Sequence, residues 1–483
     1  MYRTPFITFF ISTPIIGSLF IYICSNIHKK NVRYVSLWTT FITLIISCIF
    51  AVYFNYTNDN PQFIDHYRWI PYYNIYYKVA LDKFSVIFSI LITFVCFILN
   101  VFYINKDIPR QKLFFISILW FESLTLGAFC ARDIILMIFF MESTIIPIIL
   151  MISSSCDNNR INKSVIYQYL IYEIISAILI IIAMIYIYTK YNTSDLDIIY
   201  RISQEKELLN NYVFFILLIG FGIKIPIWPF FYWLPNVHVK SSTISSVLFA
   251  SIILKYSSLI IYRILIPIFH NIIKINGESL SIICILGIIS SCAYIIKQDN
   301  IKKIFAYFSI MHMNLYFIIP LFDPHLMKYF VFSVVNHSIL IMTTFLSIDI
   351  LETIFETKSI KNISNNLLNN EYKPIKFYVF ICVLTTIGCP LTSGFISEFV
   401  SLYSAQNISL YISIIVGIPS IISSTYIFMV YNRLFQNNKT VINENTIKNK
   451  INRVDPFMNI SIIILIFIIF FIGICPNVIL NYI

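Results

Sequence analysis

Charged and titratable side chains stand out within segments that are otherwise apolar. They are Glu122, Glu142, Lys224, Lys255, His312, His337 and Glu398. An ionised group at the centre of a bilayer costs about 2.5–3.5 kcal/mol on the insertion scale, so such residues are rare in membrane helices unless they serve a function. Burial moves lysine and glutamate toward their neutral forms, and histidine titrates near neutral pH. We therefore interpret the set as a candidate proton relay, with Glu122 as a secondary member.

Two other interpretations of these residues stay open. Each side chain taken alone fits a structural pair, or a group that reaches the interface from a helix end, and this applies most to Glu122 and the two histidines. Metal binding is the weaker alternative, because no cluster of histidine, cysteine and carboxylate has ligand spacing.

Helix-breaking residues lie beside two of the buried charges. They are Pro226 and Pro229 after Lys224, and Gly388 and Pro390 before Glu398. Proline removes a backbone donor, and irregular backbone is tolerated at membrane depth only where it is buried in protein or lines a wet cavity. Two broken helices at corresponding places in two halves are typical of inverted-repeat transporters. His238, in the first of these stretches, is a secondary candidate.

The composition indicates an integral membrane protein. Of the 483 residues, 58% are hydrophobic and only 12% are charged. We count fourteen apolar segments long enough to cross a ~30 Å hydrocarbon core and predict an all-α fold. The segments are 5–25, 34–54, 84–104, 112–130, 132–152, 164–189, 211–235, 243–268, 277–297, 301–320, 328–350, 375–402, 408–433 and 456–480.

The loops predict the orientation and the organisation. An even number of spans places both termini on one side, and most lysines and arginines lie in loops on the other, so we expect the termini to face away from the compartment of synthesis. The net charge of +11 is thus a topology signal, and the scatter of the basic residues over short loops gives no support to nucleic-acid binding.

Asn55–Lys83 alternates aromatic and polar residues, which favours a surface hairpin. We expect N-terminal helices in 1–111, two repeats in 112–270 and 271–435, and a loop and last span in 436–483.

The sequence contains no motif typical of nucleotide binding or of metal and iron–sulfur sites. The chain has no G-x-G-x-x-G fingerprint and no phosphate-binding loop. Its ten cysteines include no Cys-x-x-Cys pair, so neither an iron–sulfur cluster nor a zinc site is indicated. Isoleucine, phenylalanine, tyrosine, asparagine and lysine are used heavily, which suggests an A/T-biased genome such as that of an organelle. We expect no cofactor and no metal in this chain.

Five stretches resemble one known family, the antiporter-like subunits of proton-pumping NADH:quinone oxidoreductase, or respiratory complex I. The longest is KIPIWPFFYWLPNVHVKSSTISSVLFASIILK, from Lys224 to Lys255. The others are ESLTLGAFCARDIILMIFFMESTIIPI from Glu122, QDNIKKIFAYFSIMHM from Gln298, GCPLTSGFISEF from Gly388 and GICPN from Gly473. The resemblance covers most of the chain beyond Trp69. A glutamate at Glu398, where subunits 2 and 5 carry lysine, favours the subunit 4 branch.

The resemblance implies a fold, a function and partners. The fold would be two inverted five-helix repeats with broken seventh and twelfth helices. The chain would translocate protons across the mitochondrial inner membrane, with its termini in the intermembrane space. NADH, FMN, iron–sulfur clusters and ubiquinone would belong to other subunits. Partners would be antiporter-like subunits 2 and 5, accessory subunits and lipids such as cardiolipin. The alternatives are a subunit of a sodium/proton antiporter complex and a structural membrane anchor.

The resemblance also implies roles for the buried residues. Glu142 and Lys224 would form an ion pair that responds to charge movement in a neighbouring subunit. Lys255 would connect through His312 and His337 to Glu398. The sequence departs from the family pattern elsewhere, at Phe231, Asn236, Lys240, Ser257, Ile260, Asn300 and Glu173, the last of which stands where threonine is usual.

Overall fold

The computed structural model describes residues 5–23, 29–154, 163–205, 210–322, 324–366, 373–407, 409–435 and 454–483. The loop predicted before the last span lies outside these residues from 436 to 453. The helices and strands in chain order are α1 Phe6–Ile23, α2 Lys29–Tyr53, β1 Gln62–Ile70, β2 Ile75–Leu81, α3 Lys83–Phe102, α4 Gln111–Cys130, α5 Ile134–Ser143, α6 Ile145–Ser154, α7 Lys163–Tyr191, α8 Leu196–Glu205, α9 Asn211–Lys224, α10 Trp233–Lys240, α11 Thr243–Ser251, α12 Tyr256–Ile260, α13 Ile266–Ile268, α14 His270–Ile296, α15 Ile301–Phe322, α16 Met327–Phe355, α17 Ile360–Asn366, α18 Lys373–Thr386, α19 Ser393–Gln406, α20 Leu410–Phe435, α21 Pro456–Ile474 and α22 Asn477–Leu480.

Membrane-spanning helices dominate the fold. Within the described ranges, 12 helical segments are long and apolar enough to cross a membrane. The two remaining predicted spans, the seventh and the twelfth, are interrupted. The seventh is helical as α9 and resumes as α10, and the twelfth consists of α18 and α19, of 14 residues each. The predicted all-α membrane fold is confirmed, and the chain is a multi-pass membrane protein.

The residues form two compact units. The first unit comprises Met1–Lys224, Tyr256–Ile272 and Tyr482, and the second comprises Ile225–Lys255, Ile273–Asn481 and Ile483. The chain therefore passes between units after Lys224 and again after Lys255, both of which are buried. The four-part division expected from the sequence stays a prediction.

A β-hairpin is present in the first unit, as predicted from the alternating residues. Strands β1 and β2 pair antiparallel, and a 3₁₀ turn, Pro71–Tyr73, joins them. Asp65 of β1 accepts hydrogen bonds from the backbone N–H of Thr8 at 2.7 Å and from its hydroxyl at 2.9 Å. These bonds satisfy a free donor in the first turn of α1, so the hairpin fixes the start of that helix.

Two helices of the second unit are enclosed along their lengths. The apolar segments of α15 and α16 are wholly buried, whereas only 22% of the residues in the apolar segment of α2 and 28% of those in α20 are buried. Exposed isoleucine and phenylalanine side chains on the outer helices suit contact with lipid. Polar side chains on α15 and α16 are shielded from lipid and must find partners within the protein.

Candidate functional site

Lys224 is the last residue of α9 and lies where the seventh span is interrupted. Its side chain is 2% exposed. The chain beyond it, which carries Pro226 and Pro229, does not return to helical structure until a 3₁₀ turn at Phe230–Tyr232 and then α10. The predicted break is confirmed. A cation at a helix C-terminus also interacts favourably with the helix dipole.

Two carboxylates face the Lys224 ammonium in the first unit. Glu142, near the end of α5, places Oε1 3.2 Å from Nζ and is 17% exposed. Glu173, in the middle of α7, places Oε2 2.6 Å from Nζ and is 3% exposed. The sequence predicted the Glu142 pair but treated Glu173 only as a departure from a family pattern. The criterion that selected the others, an ionisable residue in an apolar span, would have found it.

Close packing of α7 on α9 brings Glu173 to Lys224. The Ser176 hydroxyl donates to the Gly220 carbonyl at 2.6 Å. A Cβ on Gly220 would lie 3.0 Å from Ile180 Cγ1 and 3.1 Å from Leu179 Cβ. Glycine at this position therefore permits the approach of the two helices, and Ser176 fixes it one turn away from the ion pair.

Lys255 forms part of a second cluster, in the second unit. It is fully buried and ends a 3₁₀ turn, Ile253–Lys255, that interrupts the predicted eighth span. Its Nζ lies 2.6 Å from His337 Nδ1 and donates to the Ala250 carbonyl at 3.0 Å. His337 Nε2 lies 3.0 Å from the Ser309 hydroxyl. Both ring nitrogens of His337 thus have polar neighbours, which suits a connecting position.

His312 and Glu398 complete this second cluster. The rings of His337 and His312 have centroids 6.1 Å apart, and His312 Nε2 lies 3.5 Å from Glu398 Oε1. The order in space is therefore Lys255, His337, His312, Glu398, which gives the histidines an order that the sequence left open. Glu398 is 16% exposed, against 2% for His312, so the chain of groups runs from a buried end to a more exposed one.

The break in the twelfth span positions Glu398. Gly388 follows the end of α18, has φ +70°, and would place a Cβ 2.5 Å from Glu398 Oε2. Only glycine adopts this conformation readily and leaves room for the carboxylate. The interruption contains Pro390, and α19 begins at Ser393. The prediction that this break and this charge lie together is confirmed.

The two secondary candidates do not join either cluster. Glu122 is fully buried in α4 and accepts a hydrogen bond from the Thr43 hydroxyl of α2. His238 is also fully buried and stacks on Phe345 with ring centroids 5.0 Å apart. Among the described residues neither ring nitrogen of His238 has a hydrogen-bond partner. Glu122 and His238 are therefore buried polar groups that lie outside the two clusters.

A further ion network in the first unit was not anticipated. Arg132 donates to Asp82 at 3.0 Å and contacts Asp197, and Arg263 lies 3.3 Å from Asp82. Lys78 lies 2.7 Å from Asp197. Burial would raise the pKa of Asp197, but the charges of Arg132 and Lys78 outweigh it and hold the pKa below its usual value. The network ties the hairpin to three helical segments, so its role is structural.

The two clusters have the composition of proton-carrying sites. A chain of buried groups that can each gain or lose a proton, with spacings of a hydrogen bond or one water, can pass protons without carrying bulk ions. Most of these groups lie beside an interruption in a span, where freed carbonyls and donors can hold water. The geometry therefore suits proton transfer better than binding of a large solute.

Comparison with known proteins identifies the family. Residues 131–424 match the family described as NADH:quinone oxidoreductase/Mrp antiporter, TM. The chain belongs to this family. NADH-quinone oxidoreductase subunit M of Rickettsia prowazekii (strain Madrid E) is 29% identical over 490 residues, which cover 100% of this chain and 97% of that protein. NADH-ubiquinone oxidoreductase chain 4 of Marchantia polymorpha is 28% identical over 431 residues, 87% of this chain and 84% of the relative. The resemblance predicted from the motifs is confirmed.

Solved structures share the fold. One chain of respiratory complex I from Thermus thermophilus with bound NADH superposes with a TM-score of 0.81 at 16% identity, covering 99% of this chain and 97% of that chain. One chain of the Mrp complex from Dietzia sp. DQ12-45-1b gives 0.86 at 14% identity, covering 100% and 96%. At such identities the likeness concerns the fold, which both branches of the family share.

Proposed function

We propose that this chain is the antiporter-like subunit 4 of the membrane arm of respiratory complex I and that it translocates protons. Family membership supports a place in an NADH:quinone oxidoreductase membrane arm or an Mrp-type complex. Its relatives include NADH-quinone oxidoreductase subunit M, which aligns over 100% of this chain, and NADH-ubiquinone oxidoreductase chain 4, which aligns over 87% of it. The observation that carries the proton-translocating role is the buried succession Lys255, His337, His312 and Glu398, which ends at a broken helix.

Each cluster has its own part in the proposed mechanism. In the first unit, the ion pair of Glu142 and Lys224 weakens or tightens as charge moves in the neighbouring subunit. In the second unit, Lys255 exchanges a proton with His337, and His312 and Glu398 carry it toward the membrane surface. Moving one charge against 100 mV takes about 2.3 kcal/mol, and this energy comes from quinone reduction in other subunits.

The remaining partners follow from this assignment. NADH, FMN, iron–sulfur clusters and ubiquinone would be bound by other subunits. Antiporter-like subunits 2 and 5, accessory subunits and lipids such as cardiolipin would contact this chain. We place it in the mitochondrial inner membrane, with both termini on the intermembrane-space side, because the positively charged loops concentrate on the opposite side. The A/T-biased composition supports an organelle genome.

The second candidate function is that of a subunit in a sodium/proton antiporter complex. The family name includes Mrp antiporters, and the Mrp complex shares the fold. Fold alone does not separate the two branches, because one scaffold can serve both.

Separation of the intact complexes distinguishes these functions. Membranes are solubilised in mild detergent and run on a native gel, and mass spectrometry locates the chain. We expect it to comigrate with NADH-oxidising activity at the size of complex I. Migration in a smaller assembly without that activity would refute the complex I assignment, and sodium-dependent proton flux would then be expected in vesicles.

A further inference from the structure

The Lys224 site contains more negative than positive charge. Lys224 contributes one ammonium, and Glu142 and Glu173 contribute two carboxylates within 3.2 Å and 2.6 Å of it. If all three are ionised, the buried site carries a net charge of −1. An uncompensated charge in a buried site is strongly unfavourable, so the site favours binding one additional proton.

The two carboxylates are not equivalent. Glu173 makes the shorter contact with Lys224 and is almost completely buried at 3% exposure. Glu142 makes the longer contact and is more exposed, at 17%. Lys224 Nζ donates to Glu142 only at 3.4 Å, to Oε2, against 2.6 Å to Glu173. Among the described residues Glu142 Oε1, 3.2 Å from Nζ, has no well-directed hydrogen bond although this atom is buried. Glu142 also lies beside the interruption between α5 and α6, whereas Glu173 lies in the middle of a continuous helix.

We propose that Glu173 is the permanent partner of Lys224 and that Glu142 is the carboxylate that binds and releases the proton. This inference rests on the proposed proton-translocating function. Within that function it makes Glu173, and not Glu142, the constant ion-pair partner of Lys224. Lys224 keeps its proton because Glu173 holds it at hydrogen-bond distance. Glu142 alternates between carboxyl and carboxylate, taking its proton from water at the α5–α6 interruption and returning it to water, so that the step is a transfer of one proton without redox change.

Two tyrosines of the described residues also act on the site. Tyr169 lies one turn before Glu173 on the same face of α7, and it interacts electrostatically with both glutamates. Tyr256, at the start of α12, does the same. The charged groups that act on Glu142 are Lys224 and Glu173. Removing Glu173 therefore leaves the Lys224 cation as the dominant influence on Glu142.

The test uses the assembled complex in sealed membrane vesicles, carrying the full chain. Protons translocated per NADH oxidised are measured as a function of pH for Glu173→Gln, Glu142→Gln and the matched control Glu205→Gln. Glu205 is exposed at the end of α8, so its substitution removes a carboxylate from the same unit without touching the site. Glu173→Thr serves as a second neutral variant if Glu173→Gln does not assemble.

The two glutamates should give different results. Glu142→Gln should lose proton translocation at every pH, because the remaining Glu173–Lys224 pair is already neutral. Glu173→Gln and Glu173→Thr should keep it, but its decline on the alkaline side should move to lower pH by about 1 to 3 pH units. The reason is that an unopposed cation at this distance makes a carboxyl lose its proton more readily. Glu205→Gln should match the unmodified complex.

Three outcomes would overturn the proposal or its basis. A pH profile in the neutral Glu173 variants that superimposes on that of the unmodified complex would show that Glu173 has only a structural role. Loss of translocation in those variants with retention in Glu142→Gln would reverse the two roles. Full proton stoichiometry in both Glu142→Gln and Lys224→Ala would instead refute the proposed function of the chain, because no group of this site would then be needed.

Discussion

At the scale of single residues, the buried lysines Lys224 and Lys255 have different neighbours. Lys224 faces two carboxylates at 2.6 Å and 3.2 Å, whereas Lys255 faces a histidine ring nitrogen at 2.6 Å and a backbone carbonyl. A lysine held by carboxylates keeps its proton, and one held by a neutral imidazole can give it up. At the first site the lysine therefore stays charged and the neighbouring Glu142 is the group suited to exchange a proton, whereas at the second site the lysine itself can exchange one.

Replacing His337 with phenylalanine should interrupt the second cluster. The ring volume is kept, but both ring nitrogens that face Lys255 and Ser309 are lost. We expect protons translocated per NADH to fall by about tenfold or more, since removal of a positioned proton-transfer group typically has an effect of 10²–10⁴ on the step. Proton uptake by vesicles of the assembled complex measures this ratio.

His238→Phe is the matched control, since His238 is equally buried and stacks on Phe345. An aromatic ring of similar size keeps that packing. Proton translocation should be unchanged in this variant. Equal losses in the two histidine variants would mean that buried histidines act through packing and not through proton transfer.

The sequence was sufficient to find most of these residues. Six of the relay positions stand out because an ionisable side chain in an apolar helix is expensive, and the structure brings them into two clusters. Glu173 meets the same criterion, but it stands where the family usually has threonine, so the resemblance implied no role for it. The spatial order of His337 and His312 was not predictable, because it depends on how α15 and α16 pack.

At the scale of secondary-structure elements, the interruptions in the helices position the buried charged side chains. The breaks after Lys224 and before Glu398 were predicted, because proline and glycine mark them. Two further interruptions were missed, at Thr144 between α5 and α6 and at the Ile253–Lys255 turn. Pro147 cannot donate to the Ser143 carbonyl, which explains the first interruption, whereas no proline or glycine lies in the second. The predicted spans 132–152 and 243–268 still form long apolar helical segments of the described chain, Ile134–Ser154 and Thr243–Ile268.

Gly388→Ala should displace Glu398 and lower proton translocation. An alanine Cβ would lie 2.5 Å from the Glu398 carboxylate, and φ +70° is unfavourable for alanine. The left-handed backbone conformation alone costs roughly 1–2 kcal/mol for a residue with a Cβ atom. We expect a lower thermal unfolding temperature of the complex and a severalfold loss of protons per NADH, measured on the same preparation.

Gly417→Ala provides the comparison for this substitution. A Cβ there would meet only Leu402 Cδ2, at an ordinary contact distance of 3.6 Å. Alanine in the interior of α20 should stabilise the helix by roughly 0.5–1 kcal/mol and leave translocation intact. If the two glycine variants behaved alike, the account of how the twelfth-span break positions Glu398 would be wrong.

At the scale of the whole molecule, each unit contains one of the two candidate proton-carrying clusters. Length, hydropathy and the motifs were sufficient to predict an all-helical membrane protein of this family. The count of fourteen spans agrees with the 12 long helical segments found in the described residues once the two interrupted spans are added. The composition of the two units was not predictable, because Tyr256–Ile272 belongs with the first unit although Ile225–Lys255 belongs with the second.

Proton stoichiometry in Lys224→Ala tests the central claim most directly. The assembled complex is reconstituted in sealed vesicles, its NADH oxidation is confirmed, and protons translocated per NADH are compared with those of the unmodified complex. Loss of Lys224 leaves Glu142 and Glu173 without their cation, so we expect electron transfer to persist with a sharply reduced number of protons per NADH. Full proton stoichiometry in this variant would contradict the claim that the chain translocates protons through its buried charges.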